Sequence, residues 1–324
     1  MSRLRFPKLL DKALLLHILV IAGLFSLHFV LPEYHQGVFA RILVTAIYAL
    51  GYNLLFGYTG LLSLGHALYF AAGMYGTALS MKLLGWTLLP AAAAGLLSSL
   101  LVSLAIGALA LRTTGVSFMI VTMMFAQAGY LTLLYFNEYT RGDEGFVIQQ
   151  QDRILTFSDW SIDLTNADTR YFTAALLFSI CLLIKLVLVR SSTGRVFIAL
   201  RENEERTRML GYNPAKYKLA AFVASGVFAG IAGSAYVLLF GSVGASFASI
   251  QYSIMPLLWV LLGGAGVVLG PLLGTVVMFY LIDYLSEWTT AWLLFVGIAL
   301  VLLVLVAPKG LLGTLRERRF GWLP

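Results

Sequence analysis

Few side chains in this sequence could do chemistry, and they form two groups with different surroundings. Asn53, Ser63 and His66 lie in a glycine-rich apolar run, Asn53-LLFGYTGLLSLGHALYFAAGMYG-Thr77. Polar groups at membrane depth face a bundle interior or a wet cavity, so these three either line a path or hydrogen-bond neighbouring helices. Gly57, Gly60, Gly65, Gly73 and Gly76 remove side chains around them, letting helices approach or the backbone leave its helical course. His66 has no second ligand at suitable spacing, so no metal site is expected. The other group is a run of mixed charge, Arg190-SSTGRVFIALRENEERTRMLGYNPAKYK-Leu219. Glu202 with Arg206, and Glu204 with Arg208, are i,i+4 pairs with the acid first, worth about 0.2–0.5 kcal/mol each. The pattern predicts one helix over 195–210, ended by Gly211 in the left-handed conformation and stopped by Asn213-Pro214. Val196, Phe197, Ile198 and Leu200 at one end, with Met209 and Leu210 at the other, suit docking into a groove of a soluble partner. A helix held on the anionic leaflet by Arg201, Arg206 and Arg208 is the alternative.

Other chemistry is missing. The sequence has no G-x-x-x-x-G-K-[ST], H-E-x-x-H or G-x-S-x-G. Cys181 is the only cysteine, which excludes an intrachain disulfide and a cysteine-based zinc site. Lys185 and Asp283 lie within or near apolar runs, and each is expected close enough to an interface to reach water. With no intramembrane acid or base suited to an ion relay, the chain is not expected to supply its own energy.

The elements that must position these residues are membrane spans. Only 11% of residues are charged, against about 25% in soluble domains, and mean hydropathy is +0.88. The net charge of +7 comes from basic residues at the ends of apolar runs. That is the positive-inside pattern rather than a phosphate-binding patch, so no nucleic-acid partner is expected. The N-terminal apolar core is too long for a signal peptide and no A-x-A-like site follows, so it reads as a retained first span. Spans are expected near 13–32, 38–58, 88–111, 115–136, 171–189, 218–240 and 289–307, each close to the roughly 20 residues a crossing requires.

Counting 62–81 as one span and splitting 252–285 near Gly266 gives ten. Eight, with 62–81 or 252–266 re-entrant, is the competing count. Arg3, Arg5, Lys8 and Lys12 put the N-terminus inside, and Lys309, Arg316, Arg318 and Arg319 put the C-terminus there. The loop 137–170 falls outside, carrying seven acidic residues (Glu138, Asp143, Glu144, Asp152, Asp159, Asp163, Asp168) against Arg141, Arg153 and Arg170. Arg41 and Lys82 break the charge rule and are expected to snorkel near helix ends.

Five spans on each side of that loop imply two halves of opposite topology. A Gly-interrupted third segment in each, 57–76 and 263–274, points to a translocation path near the midplane. Gly266, Gly270 and Gly274, at four-residue intervals, predict one tight helix face kinked beside Pro271. Candidate path residues are therefore Asn53, Gly57, Gly60, Ser63, His66, Gly263, Gly264 and Gly266.

Three blocks carry a family resemblance: GYTGLLSLGHALYFAAGMYG, the pattern RxxxGRVFxALRENExxxxxLGYNxxxYKLxAFVxSGxxAGxAGxxY from Arg190 to Tyr236, and LLGGAGVVLGPLLG. Together, over roughly residues 40–312, they resemble the LivM-type permeases of branched-chain amino acid ABC importers. The resemblance implies an all-α integral membrane protein of the bacterial inner membrane, one permease domain with both termini cytoplasmic. It implies a homologous LivH-type permease beside it, two cytoplasmic ATPase subunits below that use the ATP, and a periplasmic substrate-binding protein. No cofactor would be bound by this chain itself. The family's ATPase-coupling segment maps within 190–217, onto Arg201, Glu202, Asn203, Glu204, Glu205, Arg208, Leu210 and Gly211. The external motif that usually resembles T-G-G reads Thr140-Arg141-Gly142, and the R-S-P-F-G-R-like entry to the coupling segment reads Arg190-SSTG-Arg195. Related readings are a urea or short-amide importer subunit and, in a different class, a stand-alone secondary carrier or channel.

Overall fold

Apolar runs of this length must satisfy their backbone groups internally, and helices do so. A computed structural model describes residues 12–157 and 160–318. Arg3, Arg5, Lys8, Asp159 and Arg319, which entered the charge argument, lie outside them. In chain order the helices are α1 (Lys12–Leu27), α2 (Glu33–Asn53), α3 (His66–Leu84), α4 (Leu88–Ala110), α5 (Gly115–Tyr135) and the short α6 (Asn137–Thr140). Then follow α7 (Ala167–Arg190), α8 (Ser192–Glu202), α9 (Glu204–Met209), α10 (Pro214–Phe240), α11 (Ile250–Gly263), α12 (Gly270–Trp288), α13 (Trp292–Val306) and α14 (Gly310–Arg318). A π-helical turn, Leu54–Tyr58, extends α2. Among the described residues five stretches are long and apolar enough to cross a membrane: 33–58, 88–110, 115–135, 167–190 and 214–240. Helices α1 and α11 are apolar but shorter, and α3 and α12, with 19 residues each, are about 28 Å long.

Contacts between the ends give the direction of each helix. Lys82, at the end of α3, donates to the carbonyl of Tyr139 after α5 and lies over the Phe146 ring. Strand β1 (Phe146–Val147) pairs antiparallel with β4 (Ser242–Val243) after α10. Tyr34, at the start of α2, donates to Asp283 near the end of α12. Tyr171, at the start of α7, donates to the Leu24 carbonyl near the end of α1. These ends share one side of the membrane with the acidic loop. At the opposite ends, Leu111 and Thr114 between α4 and α5 border the same pocket as Glu204, Tyr212 and Lys218. The alternation gives ten crossings, with α6, α8, α9 and α14 outside the count and Lys12 on the same side as α14.

The external segment adds strands to an otherwise helical architecture. Besides β1 with β4, strands β2 (Ile154–Phe157) and β3 (Trp160–Asp163) form a hairpin, and α7 begins at Ala167, so the loop ends before 170. Asp163 accepts from the amide and hydroxyl of Thr165, which hold its carboxyl below the usual carboxylate range.

The centre is built from α2, α3, α4 and α10, where small residues let backbones touch. A Cβ on Gly73 would collide with the backbone of Gly230, and one on Gly233 with that of Phe70. Lys185 departs from expectation: it is fully buried on α7, its Nζ has no hydrogen-bond partner among the described residues, and the Tyr58 ring lies 5.8 Å away. It misses water because its face of α7 packs inward, while Ile184 and Val187 face outward.

Candidate coupling and translocation site

The charged run folds as two helices rather than one over 195–210. Asn203 adopts an extended conformation (φ −161°, ψ 107°), ends α8, and caps α9 by accepting from the Arg206 amide at 2.9 Å. An Asn that satisfies the first amides of a new helix, followed by two acids in its first turn, wins over continuation of the old one. Glu202 and Arg206 therefore sit on different helices and lose their i,i+4 relation. Glu204 pairs across to Lys218 of α10 at 2.6 Å rather than to Arg208. Gly211 does take the left-handed conformation (φ 88°), and Asn213 with Pro214 starts α10, its side chain accepting from the Lys216 amide.

The apolar ends also divide. Val196, Phe197 and Leu200 are buried against the bundle, so they are not free to dock. Met209 and Leu210 are exposed, as are Glu202, Asn203, Glu205 and Arg208. Ile198 of α8 is exposed as well, so the surface open to a partner is α9, its exit turn and the outer face of α8, and α8 is the arm that carries it.

Arg201 is the side chain that ties this arm to the spans. It donates to the Gly57 carbonyl in the π-helical turn and packs over Gly60 (φ 73°), where a Cβ would lie 3.2 Å from its Cγ. Gly57 leaves room for the backbone of Gly266. Gly264 (φ 120°) and Gly266 (φ 75°) break the helix between α11 and α12, in conformations that strongly favour glycine. Gly266 therefore shares no helix face with Gly270 and Gly274, which instead pack α12 against the backbones of Gly264, Gly263 and Trp259.

Asn53 clamps the second break from the first. Its Nδ2 donates to the Val267 carbonyl at 2.8 Å, and its Oδ1 accepts from the Gly266 amide at 2.9 Å. Arg316 of α14 donates to the Gly266 carbonyl at 3.1 Å. Because Arg201 and Arg316 come from α8 and α14, which lie at the same end of the bundle, both breaks lie at that end and not near the midplane. Nor do they correspond between halves. The first separates the second and third crossings, and the second separates the third and fourth crossings of its half.

Ser63 lies within the first break and His66 starts α3 at its far edge, both fully buried. Ser63 accepts from the Gly65 amide, and its carbonyl accepts from Tyr52. Ser225 donates to the Gly51 carbonyl at 2.6 Å, leaving its oxygen to accept the Nε2 proton of His66, also at 2.6 Å. Ser253 of α11 accepts from the amide of Ala67. These polar groups bridge α2, α3, α10 and α11. Sequence reasoning missed Arg316, Lys218, Ser225 and Ser253. The two cations counted only as positive-inside charge, and each serine lay in an apolar helix.

A ten-crossing helical protein whose charged arm outside the spans is latched to glycine breaks between them belongs to the class of membrane transport permeases. The family described as branched-chain amino acid transport system / permease component matches residues 35–307, and the chain belongs to it. Two relatives carry the name high-affinity branched-chain amino acid transport system permease protein LivM. That of Salmonella typhimurium strain LT2 is 30% identical over 329 residues, covering 95% of this chain and 76% of the relative. That of Escherichia coli strain K12 is 30% identical over 302 residues, covering 85% of this chain and 69% of the relative. No solved structure matches the chain.

Proposed function

We propose that this chain is the LivM-like permease subunit of an ATP-driven importer of branched-chain amino acids in a bacterial inner membrane, working by alternating access. It would stand beside a homologous LivH-type permease, above two ATPase subunits that hydrolyse the ATP, and receive substrate from a periplasmic binding protein. The family and the names of the enterobacterial relatives support the substrate. The coupling role is supported by one observation above all: Arg201 joins the cytoplasmic arm to the Gly57 carbonyl, and Gly57 touches Gly266 of the second break.

In this reading the ATPases grip α9 through Met209, Leu210 and the charges of Glu205 and Arg208. Their closure swings α8, and Arg201 carries the movement to both breaks. Packed cores respond to such a pull by exchanging discrete arrangements. The test uses the assembled importer in proteoliposomes, with hydrolysis and leucine uptake measured separately. Arg201→Gln is expected to keep ATP hydrolysis within about twofold and to reduce uptake at least tenfold. Unchanged uptake would remove Arg201 from the coupling path. Leucine transport by the purified chain alone, indifferent to ATP, would sink the importer reading altogether.

A further inference from the structure

The geometry points to the extracytoplasmic cavity around Arg41 and Arg170 as a seat for a zwitterionic amino acid with an aliphatic side chain. The cavity, about 640 Å³, lies between α2, α7, α10, α11 and α12, within the usual range for small-ligand sites of about 300–1,000 Å³. Arg41 stands eight residues into α2, about 12 Å from its outer end. Its guanidinium reaches toward the outer helix ends, as expected of a snorkelling arginine, and borders the cavity there beside Phe240, the last residue of α10. An ionisable side chain rooted at that depth and facing an interior space marks a functional position.

Its neighbour is a second cation. The guanidinia of Arg41 and Arg170 both lie over the ring of Phe240, at 5.3 and 5.6 Å from its centroid. Among the described residues no carboxylate is within ion-pair distance of either, and the Nε of Arg170 is buried without a hydrogen-bond partner. Two like charges held together, Arg170 half-buried and Arg41 open to the cavity, with no acid within ion-pair distance of either among the described residues, are suited to an incoming anion. A guanidinium binds a carboxylate bidentately.

The remaining walls say which anion. Asp283 of α12 borders the same cavity and offers a carboxylate to an ammonium group, with Tyr34 donating to it at 3.2 Å. Deeper in, Tyr252, Met255 and Trp259 form an apolar and aromatic floor. A carboxylate on the arginines, an ammonium toward Asp283 and an aliphatic chain on the floor satisfy all three surfaces at once. A lipid phosphate would use the arginines but would meet Asp283 as a like charge.

This inference rests on the amino-acid importer reading and adds to it a station on the outer side, distinct from the coupling latch. The test uses the assembled importer in nanodiscs, with Met255→Cys as a reporter and the buried Cys181 as background. An anionic methanethiosulfonate is expected to label the reporter at least tenfold faster than a cationic one. Adding Arg41→Gln and Arg170→Gln should erase that preference. In proteoliposomes Arg41→Gln should lower leucine uptake at least tenfold, with Arg41→Lys retaining more. Equal labelling by the two reagents in the reporter protein overturns the inference even if the arginine variants fail to assemble. So does leucine uptake within twofold of wild type in both arginine variants. A wild-type complex that imports no aliphatic amino acid is failure of the parent reading, and it shows before any variant is made.

Discussion

The α3–α4–α10 interior and the end of the bundle that carries α8, α9 and α14 are held together in opposite ways. In the interior, glycine meets backbone where Gly73 lies on Gly230 and Gly233 on Phe70, and meets a small side chain where Gly226 lies against Ser103 and Gly230 against Ser99. Its hydroxyls are satisfied within the packing, Thr77 and Ser234 both donating to the Gly73 carbonyl at 2.9 and 3.1 Å. At that end three polar side chains, Asn53, Arg201 and Arg316, hold glycine loops through backbone carbonyls and one amide. Close-packed backbones resist continuous deformation and transmit strain, so they move as one body. Hydrogen bonds from side chains to loop carbonyls can be exchanged for water or for other carbonyls at a net cost of about 0.5–1.5 kcal/mol each. The first region is a weld and the second a latch, and a transporter needs both.

The largest effect should come from breaking the weld. Gly73→Leu places a branched side chain where the backbone of Gly230 stands, and overpacking of this kind costs about 3 kcal/mol or more. The expected outcome is a complex that fails to assemble, or a steep fall of its thermal midpoint in detergent. Wild-type stability would mean that α3 and α10 can separate, and the weld would lose its meaning.

The latch should yield differently. Asn53→Leu leaves the Gly266 amide and Val267 carbonyl without their partner, a cost of about 1–3 kcal/mol. Hydrogen exchange is expected to accelerate in 264–269 while amides of α3 and α10 keep their protection. Uniform acceleration across both regions would show one cooperative body instead of two.

The spans were legible because length and apolarity are local properties, and the split near Gly266 because Gly264 and Gly266 need conformations other residues resist. The break at Asn203 had its own signal, an N-cap residue followed by Glu204 and Glu205, but the i,i+4 charge pairs argued for continuity. What the sequence could not reveal is pairing over distance. Asn53 meets residues more than two hundred positions away, and only packing turns Val196, Phe197 and Leu200 inward. The external motif shows a local feature whose meaning waits for geometry. Arg141, where the family motif reads glycine, is the only non-glycine residue with positive φ (59°) among the described ones. Holding an L-residue there costs about 1–2 kcal/mol, so Arg141→Gly is expected to stabilise by about 1 kcal/mol, read as a raised thermal midpoint. A lowered midpoint would mean that the Arg141 side chain contributes more than its backbone conformation costs.

The smallest effect tests where the latch ends. Lys218 and Glu204 pair at 2.6 Å between α10 and the start of α9, with Glu204 about a third exposed. Solvent and salt screen such a pair, so Glu204→Gln should cost less than about 1 kcal/mol and should differ still less from wild type at high salt. Uptake should stay within about twofold, because Asn203 still caps α9 and Arg201 still reaches Gly57. A tenfold loss of uptake without loss of stability would instead make the α9–α10 contact part of the moving latch. The force would then run through the start of α10 into the glycine weld as well as through Arg201, and the two regions would be mechanically one.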